Sequence, residues 1–181
     1  MPDQPMIVPY RYVSREQARN MLSSFARMGW QDKAALPLAW LLLTFAACAL
    51  RVVEFRLLAR CLGTPVGTAA FLPVINARQI DRAQLAKRSM RRAARIAPLR
   101  SDCLPQAIAG AVLCRLLGVP TTTCLGVQLK SDPKIAAHAW LCSGPVPITG
   151  DLSFGQFTVL LCFVSPKPVG ARALAGLDLN L

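Results

Sequence analysis

The sequence predicts an α+β fold in which helices pack against an antiparallel sheet. An apolar helical pattern begins at Cys103, with leucine, isoleucine and valine recurring at four-residue spacing. Three segments rich in β-forming residues come after it, around 121–129, 136–142 and 157–163, and turn residues separate them. Because strands joined by short turns pair antiparallel, we expect the helix to dock on the sheet that these segments form.

The composition limits the classes of partner. A chain of 181 residues suits one domain with a modest extension, and a net charge of +12 with 54% hydrophobic residues favours an acidic partner, a membrane surface or an obligate protein partner. Zinc-finger spacings and RNA-binding motifs are missing, so nucleic acid is not expected as a partner. The seven cysteines form an odd set without a CxxC pair or a secretory signal pattern. This favours a cytoplasmic location, with membrane association as an alternative, and predicts neither a metal site nor a cofactor.

We expect three parts along the chain. Residues 1–75 form an N-terminal helical segment, residues 76–164 the main domain and residues 165–181 a C-terminal tail. Within the first part, residues 34–50 contain no charged side chain. A transmembrane helix needs about 20 apolar residues, so a buried helix that packs on the core is favoured over a membrane span. An interfacial or partner-binding helix is the third interpretation.

A strongly basic helix is predicted ahead of the cysteine. Residues 78–100 hold eight lysines and arginines and a single acidic residue, Asp81, together with apolar residues at helical spacing. Their basic face is either solvated or a dock for an acidic peptide or partner. The side chains assigned to partner or substrate binding are Arg88, Arg91, Arg92, Arg95 and Trp140.

Cys103 is predicted to lie in the first turn of its helix. Ser101 or Asp102 can cap that turn, and Pro105 is tolerated there because its missing N–H would have no partner inside the helix. The unpaired N–H groups and the macrodipole favour a thiolate at this position. The same N–H groups, including that of Cys103, are candidates for binding an oxyanion, and the side chain of Gln106 is a further candidate.

His138 is the only histidine in the chain, and Asp151 follows it after the apolar stretch 146–148. Adjacent strands can bring that carboxylate beside the imidazole. An imidazole can accept the proton of a thiol, and a carboxylate can hold the ring in the required orientation. The alternative to a catalytic role of His138 is a structural one, because a lone histidine on an apolar strand is more often a hydrogen-bonded core residue than a catalyst.

Four blocks follow one another in a fixed order: CLPQAIA from Cys103, LLGVP, an LGV strand and HAWL from His138. This pattern resembles the B-type leader peptidases of lasso peptide biosynthesis, which are transglutaminase-like cysteine proteases. The resemblance covers about residues 38–163, including the apolar N-terminal run. It implies a transglutaminase/papain-like fold, with residues 76–164 as the catalytic domain. It also implies a triad of Cys103, His138 and Asp151.

The resemblance further implies a function, a cysteine endopeptidase that removes the leader from a lasso peptide precursor before macrolactam cyclisation. The implied partners are the precursor peptide, a separate leader-recognition protein and an asparagine-synthetase-like lasso cyclase. We expect the recognition domain on a separate protein, because the segment before residue 34 is too short to contain it. Two other functions stay open, an acyltransferase or transglutaminase that uses the same thioester and a non-catalytic, membrane-associated adaptor of the same fold.

Overall fold

The computed structural model describes residues 29–98, 102–129, 135–150 and 157–166. These residues form helices and an antiparallel sheet, which confirms the predicted α+β class. The helices are α1 (Trp30–Val52), α2 (Phe55–Leu58), a 3-10 turn (Ala59–Cys61), α3 (Ala77–Ile96) and α4 (Cys103–Leu116). The strands are β1 (Thr64–Pro65), β2 (Thr121–Leu129), β3 (Ile135–Ser143), β4 (Val146–Thr149) and β5 (Thr158–Ser165).

The sheet has the order β1-β5-β2-β3-β4, and every neighbouring pair is antiparallel. The three strands predicted from sequence are its centre, since β2 pairs with β3 on one side and with β5 on the other. The two-residue strand β1 was not predicted. Two residues are too few for a visible alternation of apolar and polar side chains.

The main core lies between the helices and one face of the sheet. It is built from α1, α3, α4 and alternate residues of the strands, and its fully buried members include Leu43, Met90, Leu113 and Leu141. One side of α1 packs in this core mainly through alanines, while Leu41 and Phe45 on its other side are exposed. By length and composition α1 is also the one described helix that could cross a membrane.

Helix α4 approaches the sheet unusually closely at Gly110. A Cβ atom at this position would lie 2.7 Å from a methyl carbon of Leu141 on β3, closer than such atoms normally come. Glycine therefore permits a contact between helix and sheet that alanine would obstruct. Because Gly110 and Cys103 lie on the same helix, this contact also fixes the start of α4 relative to β3.

A second, smaller cluster lies on the other face of the sheet. Its buried members, Cys124, Trp140 and Cys162, are direct neighbours across β3, β2 and β5. Phe157 and Val159 pack against them. Side chains alternate between the two faces of a strand, so the residues next to these three in sequence point toward the helices instead.

Candidate active site

A cleft of about 1040 Å³ lies between α3, the start of α4, β3 and β4. Both Cys103 and His138, which are 35 positions apart in the sequence, line this cleft. The residues that line it are Lys87, Arg91, Ala94, Arg95, Asp102, Cys103, Gln106, Ala137, His138, Pro147, Ile148, Thr149 and Gly150. The two residues predicted to exchange a proton therefore line one cleft.

Cys103 is the first residue of α4, as predicted, and Asp102 is the N-cap residue. The Asp102 side chain makes no capping hydrogen bond, and Ser101 lies outside the described residues. The N–H of Gln106 donates to the Asp102 carbonyl at 3.4 Å, and Pro105 has no N–H. In the first turn, the N–H groups of Cys103 and Leu104 are therefore the ones without a partner inside the helix. Both belong to the helix start, where unpaired N–H groups and the macrodipole favour negative charge.

Position distinguishes Cys103 from the other six cysteines. Cys114, Cys124, Cys142 and Cys162 are buried, whereas Cys103 is half-buried in the cleft. Burial raises the pKa of the Cys114 thiol to about 12. Burial, with a smaller effect of Cys162, raises the pKa of Cys142 to about 11. These two thiols stay protonated at neutral pH, so they lack the thiolate that nucleophilic attack requires.

Cys124 and Cys162 form a hydrogen-bonded pair of thiols, with 2.7 Å between their sulfur atoms. This hydrogen bond and burial both raise the pKa of Cys124. The pair lies in the small cluster beneath Trp140, outside the cleft lining. It contributes to the packing of the sheet.

Aromatic contacts hold the ring of His138. His138 lies opposite Gly126 of β2 and stacks on Trp140 with 5.9 Å between ring centroids and an interplanar angle of 24°. The ring of Phe157 also contacts the imidazole, with 5.1 Å between ring centroids. Trp140 is fully buried beneath the histidine and is not among the residues that line the cleft. Alternation along β3 places Trp140 and His138, which are two residues apart, on the same face of the sheet.

Asp151, the predicted acid, lies outside the described residues. Its neighbour Gly150 lines the cleft and has a φ of +69°, in the region that favours glycine. A Cβ at Gly150 would lie 2.8 Å from the Cβ of Trp140. The chain thus passes directly against the residue that supports His138, one position before Asp151.

Gln106, the second candidate for oxyanion binding, also lines the cleft. It is three positions after Cys103, which places both on neighbouring parts of one helix face. The side chain is half-buried. Gln106 and Cys103 therefore share the lining at the start of α4.

Helix α3 divides its basic residues between two sides. Arg88 and Arg92 bind Asp32 of α1, with distances to its Oδ1 atom of 3.3 Å and 2.9 Å. Neither lines the cleft, because both turn toward α1. Arg91 and Arg95 do line the cleft, and so does Lys87, which was not among the residues predicted to bind a partner or substrate. The spacing alone does not separate the two sets, because Arg88 and Arg92 are also four residues apart.

A second cavity, of about 660 Å³, lies near the end of α4 and has no cysteine or histidine in its lining. Its Arg115 already donates to the carbonyl of Cys61 and to the hydroxyl of Ser165. In the described parts of the chain, no three histidine, cysteine, aspartate or glutamate side chains come together as metal ligands. Cys103 and His138 line the larger cleft instead.

Fold and cleft define a class: an α+β protein with a cysteine at a helix start and a histidine on an antiparallel sheet lining one cleft. A sequence model of the transglutaminase-like superfamily matches residues 45–162, well over half of the chain. The protein belongs to the transglutaminase-like superfamily. This membership indicates cysteine-dependent chemistry of the protease or acyltransferase type. No curated protein and no solved structure gives a significant match.

Proposed function

We propose that the protein is a cytoplasmic cysteine endopeptidase that removes the leader peptide from a lasso peptide precursor. The observation that carries this proposal is the cleft that contains both Cys103 and His138. Superfamily membership supports a cysteine-dependent reaction there. The order of the CLPQAIA and HAWL blocks, which resembles the leader peptidases of lasso peptide clusters, supports the substrate class.

In the proposed reaction, His138 accepts the proton of the Cys103 thiol, and the sulfur attacks the carbonyl carbon at the leader–core junction. The N–H groups of Cys103 and Leu104 donate to the resulting oxyanion. When the C–N bond breaks, the proton on His138 goes to the leaving nitrogen, and the core peptide departs with a free amine. Water then hydrolyses the thioester, which releases the leader as a carboxylic acid and restores the thiol. Asp151 holds the imidazole in the orientation that these transfers need.

The size and shape of the cleft suit a peptide substrate. Its volume of about 1040 Å³ is at the upper end of the range for small-molecule sites, so several residues of an extended peptide fit. One wall is a helix with long basic side chains, and the other is made by β3 and β4. A peptide can therefore lie along the cleft with its scissile bond at Cys103.

We also propose that a separate leader-recognition protein delivers the precursor. The exposed face of α1, which includes Leu41 and Phe45, is the apolar surface that we assign to this contact. Delivery raises the local concentration of the scissile segment and can strengthen a weak active-site interaction about a hundredfold. An asparagine-synthetase-like cyclase then joins the new core amine to an acidic side chain.

Superfamily membership equally supports acyl transfer as a second candidate function. The thioester would then react with an amine, and the product would contain a new amide bond instead of a free leader acid. Mass spectrometry of the products separates the two, because hydrolysis adds one water to the leader and acyl transfer adds the mass of the amine.

The test is incubation of full-length precursor with the wild-type protein, with and without the recognition protein. We expect free leader acid and core peptide, formed faster when the recognition protein is present. The Cys103→Ala protein should form neither product, whereas Cys61→Ala, which removes a half-buried cysteine outside the cleft lining and outside α1, should cleave like wild type. Cleavage by Cys103→Ala at a comparable rate would refute the proposal, and equal rates with and without the recognition protein would refute delivery.

A further inference from the structure

The cleft has a basic wall that the proposed reaction does not use. Lys87, Arg91 and Arg95 follow one another at four-residue spacing along α3, and all three line the cleft that contains Cys103 and His138. Arg91 and Arg95 are exposed and Lys87 is half-buried, so a ligand can reach all three side chains.

These three cations differ from the other basic residues of the same helix turns. Arg88 and Arg92 are bound to Asp32, which already supplies their counter-charge. Within the described ranges, Lys87, Arg91 and Arg95 have no carboxylate partner. Asp102 is the one acidic residue in the described cleft lining, and it lies at the Cys103 end. The wall therefore presents a net positive charge to whatever occupies the cleft.

The spacing of the wall matches an extended peptide. Residues four apart on a helix are separated by about 6 Å along its axis, because the rise is about 1.5 Å per residue. Alternate residues of an extended chain lie about 6.6 Å apart and point to the same side. Two carboxylates at positions i and i+2 of a bound peptide can therefore each meet a successive cation of the wall.

We infer that Lys87, Arg91 and Arg95 select substrates with acidic residues at alternate positions close to the scissile bond. The inference rests on the proposed function, because it assumes that the occupant of the cleft is a polypeptide. A peptide is favoured over a nucleic acid because the cations share their cleft with the nucleophile and the histidine of a transglutaminase-like protein. The three residues act on specificity by binding the substrate, with no part in proton transfer.

The test is a binding measurement in the Cys103→Ala background, where no cleavage interferes. Fluorescent peptides of the same length carry two glutamates, two glutamines or two lysines at positions i and i+2. We expect the glutamate peptide to bind about tenfold more tightly than the glutamine peptide at low salt, and this preference should shrink as salt is added. Changing Lys87, Arg91 and Arg95 to Glu should abolish the preference and improve binding of the lysine peptide.

The matched control changes Arg51, Arg56 and Arg78 to Glu. These arginines are exposed and lie outside the cleft lining, so this variant has the same net charge as the cleft variant. The control should keep the preference for glutamate. Circular dichroism checks folding, and if the glutamate triple variant does not fold, the triple glutamine variant must lose the preference.

Three results would overturn the inference: equal binding of the glutamate and glutamine peptides, equal loss of preference in the control, or a wall that binds a single-stranded oligonucleotide and no peptide. The proposed function fails in a different way. If wild-type protein leaves the precursor uncut while the glutamate preference persists in the Cys103→Ala background, the peptidase assignment is wrong and the acidic-peptide site remains.

Discussion

At the scale of single residues, local surroundings give seven cysteines different chemistry. Cys103 lies at a helix start in an open cleft, while Cys114 and Cys142 are buried and their pKa values are raised by desolvation. The sequence indicates the position of Cys103 because its signals are local: Pro105, an adjacent N-cap residue and the apolar pattern that follows. It does not indicate that Trp140 is buried under His138, because which face of a strand is covered depends on distant residues.

The first prediction concerns thiol reactivity. Native protein treated with iodoacetamide at pH 7.5 should be alkylated at Cys103 faster than at Cys48, although Cys48 is more exposed, because His138, the proposed base, lines the same cleft as Cys103. Cys114 and Cys142 should react only after unfolding. Peptide mapping by mass spectrometry measures each rate. Faster labelling of Cys48 than of Cys103 would contradict an activated nucleophile.

The second prediction concerns the base and the acid that orients it. His138→Ala should slow precursor cleavage about a thousandfold or more, as Cys103→Ala does, because His138 is the proposed acceptor of the thiol proton and the only histidine in the chain. Asp151→Asn should leave a lower but measurable rate, since the carboxylate positions the ring without carrying the proton. Initial rates at equal enzyme concentration provide the measurement. An unchanged rate in Asp151→Asn would point to another acid or to a Cys–His dyad.

At the scale of elements, α3 shows what a charge pattern can and cannot predict. The amphipathic helix itself follows from the spacing of its apolar residues. The division of its cations follows from Asp32, an acceptor 56 positions before Arg88 in the chain. A basic run has no feature that shows which of its members will meet such a distant carboxylate. The signal for the start of α3 is local, by contrast, because Asn76 and Gln79 form a capping box there.

The third prediction tests the link between α1 and α3. Asp32→Ala should lower the free energy of unfolding by about 1 kcal/mol, because both arginines lose their acceptor while remaining partly exposed to water. Urea unfolding at low salt measures the loss, which should shrink in 1 M NaCl. Asp81→Ala is the matched control, since Asp81 is an exposed acid of α3. Equal effects of the two substitutions would show that the ion pairs contribute nothing measurable.

At the scale of the whole molecule, local sequence patterns predict the helices and strands, but they do not predict the contacts between them. Sequence periodicity predicted α1, α3, α4 and the three central strands. The cleft depends on contacts between distant parts of the chain, such as that between Gly110 and Leu141, and on the position of β4 beside β3. The pairing of β1 with β5 is likewise a long-range contact. Such contacts have no signature in a short window of sequence.

The fourth prediction concerns the stability of the whole molecule at alkaline pH. A thiol whose pKa is raised on folding contributes stability that is fully present below the unfolded value and is lost as pH rises toward the folded value. Cys114 and Cys142 have folded pKa values of about 12 and 11. As the pH rises above 9, each should therefore lower the free energy of unfolding by about 1 kcal/mol per pH unit. Urea unfolding between pH 8 and 10.5 measures the slope. Cys114→Ala should be less stable at pH 8 but show a shallower slope, and an unchanged slope would contradict the assignment.

The central claim is that Cys103 carries the leader as a thioester. The most direct measurement is the intact mass of the enzyme quenched in acid during turnover of the precursor, followed by peptide mapping of the adduct. The account predicts an adduct with the mass of the leader acid minus one water, attached to Cys103 and absent from the Cys103→Ala protein. A leader attached to another residue, or release of free leader at an undiminished rate by Cys103→Ala, would contradict it.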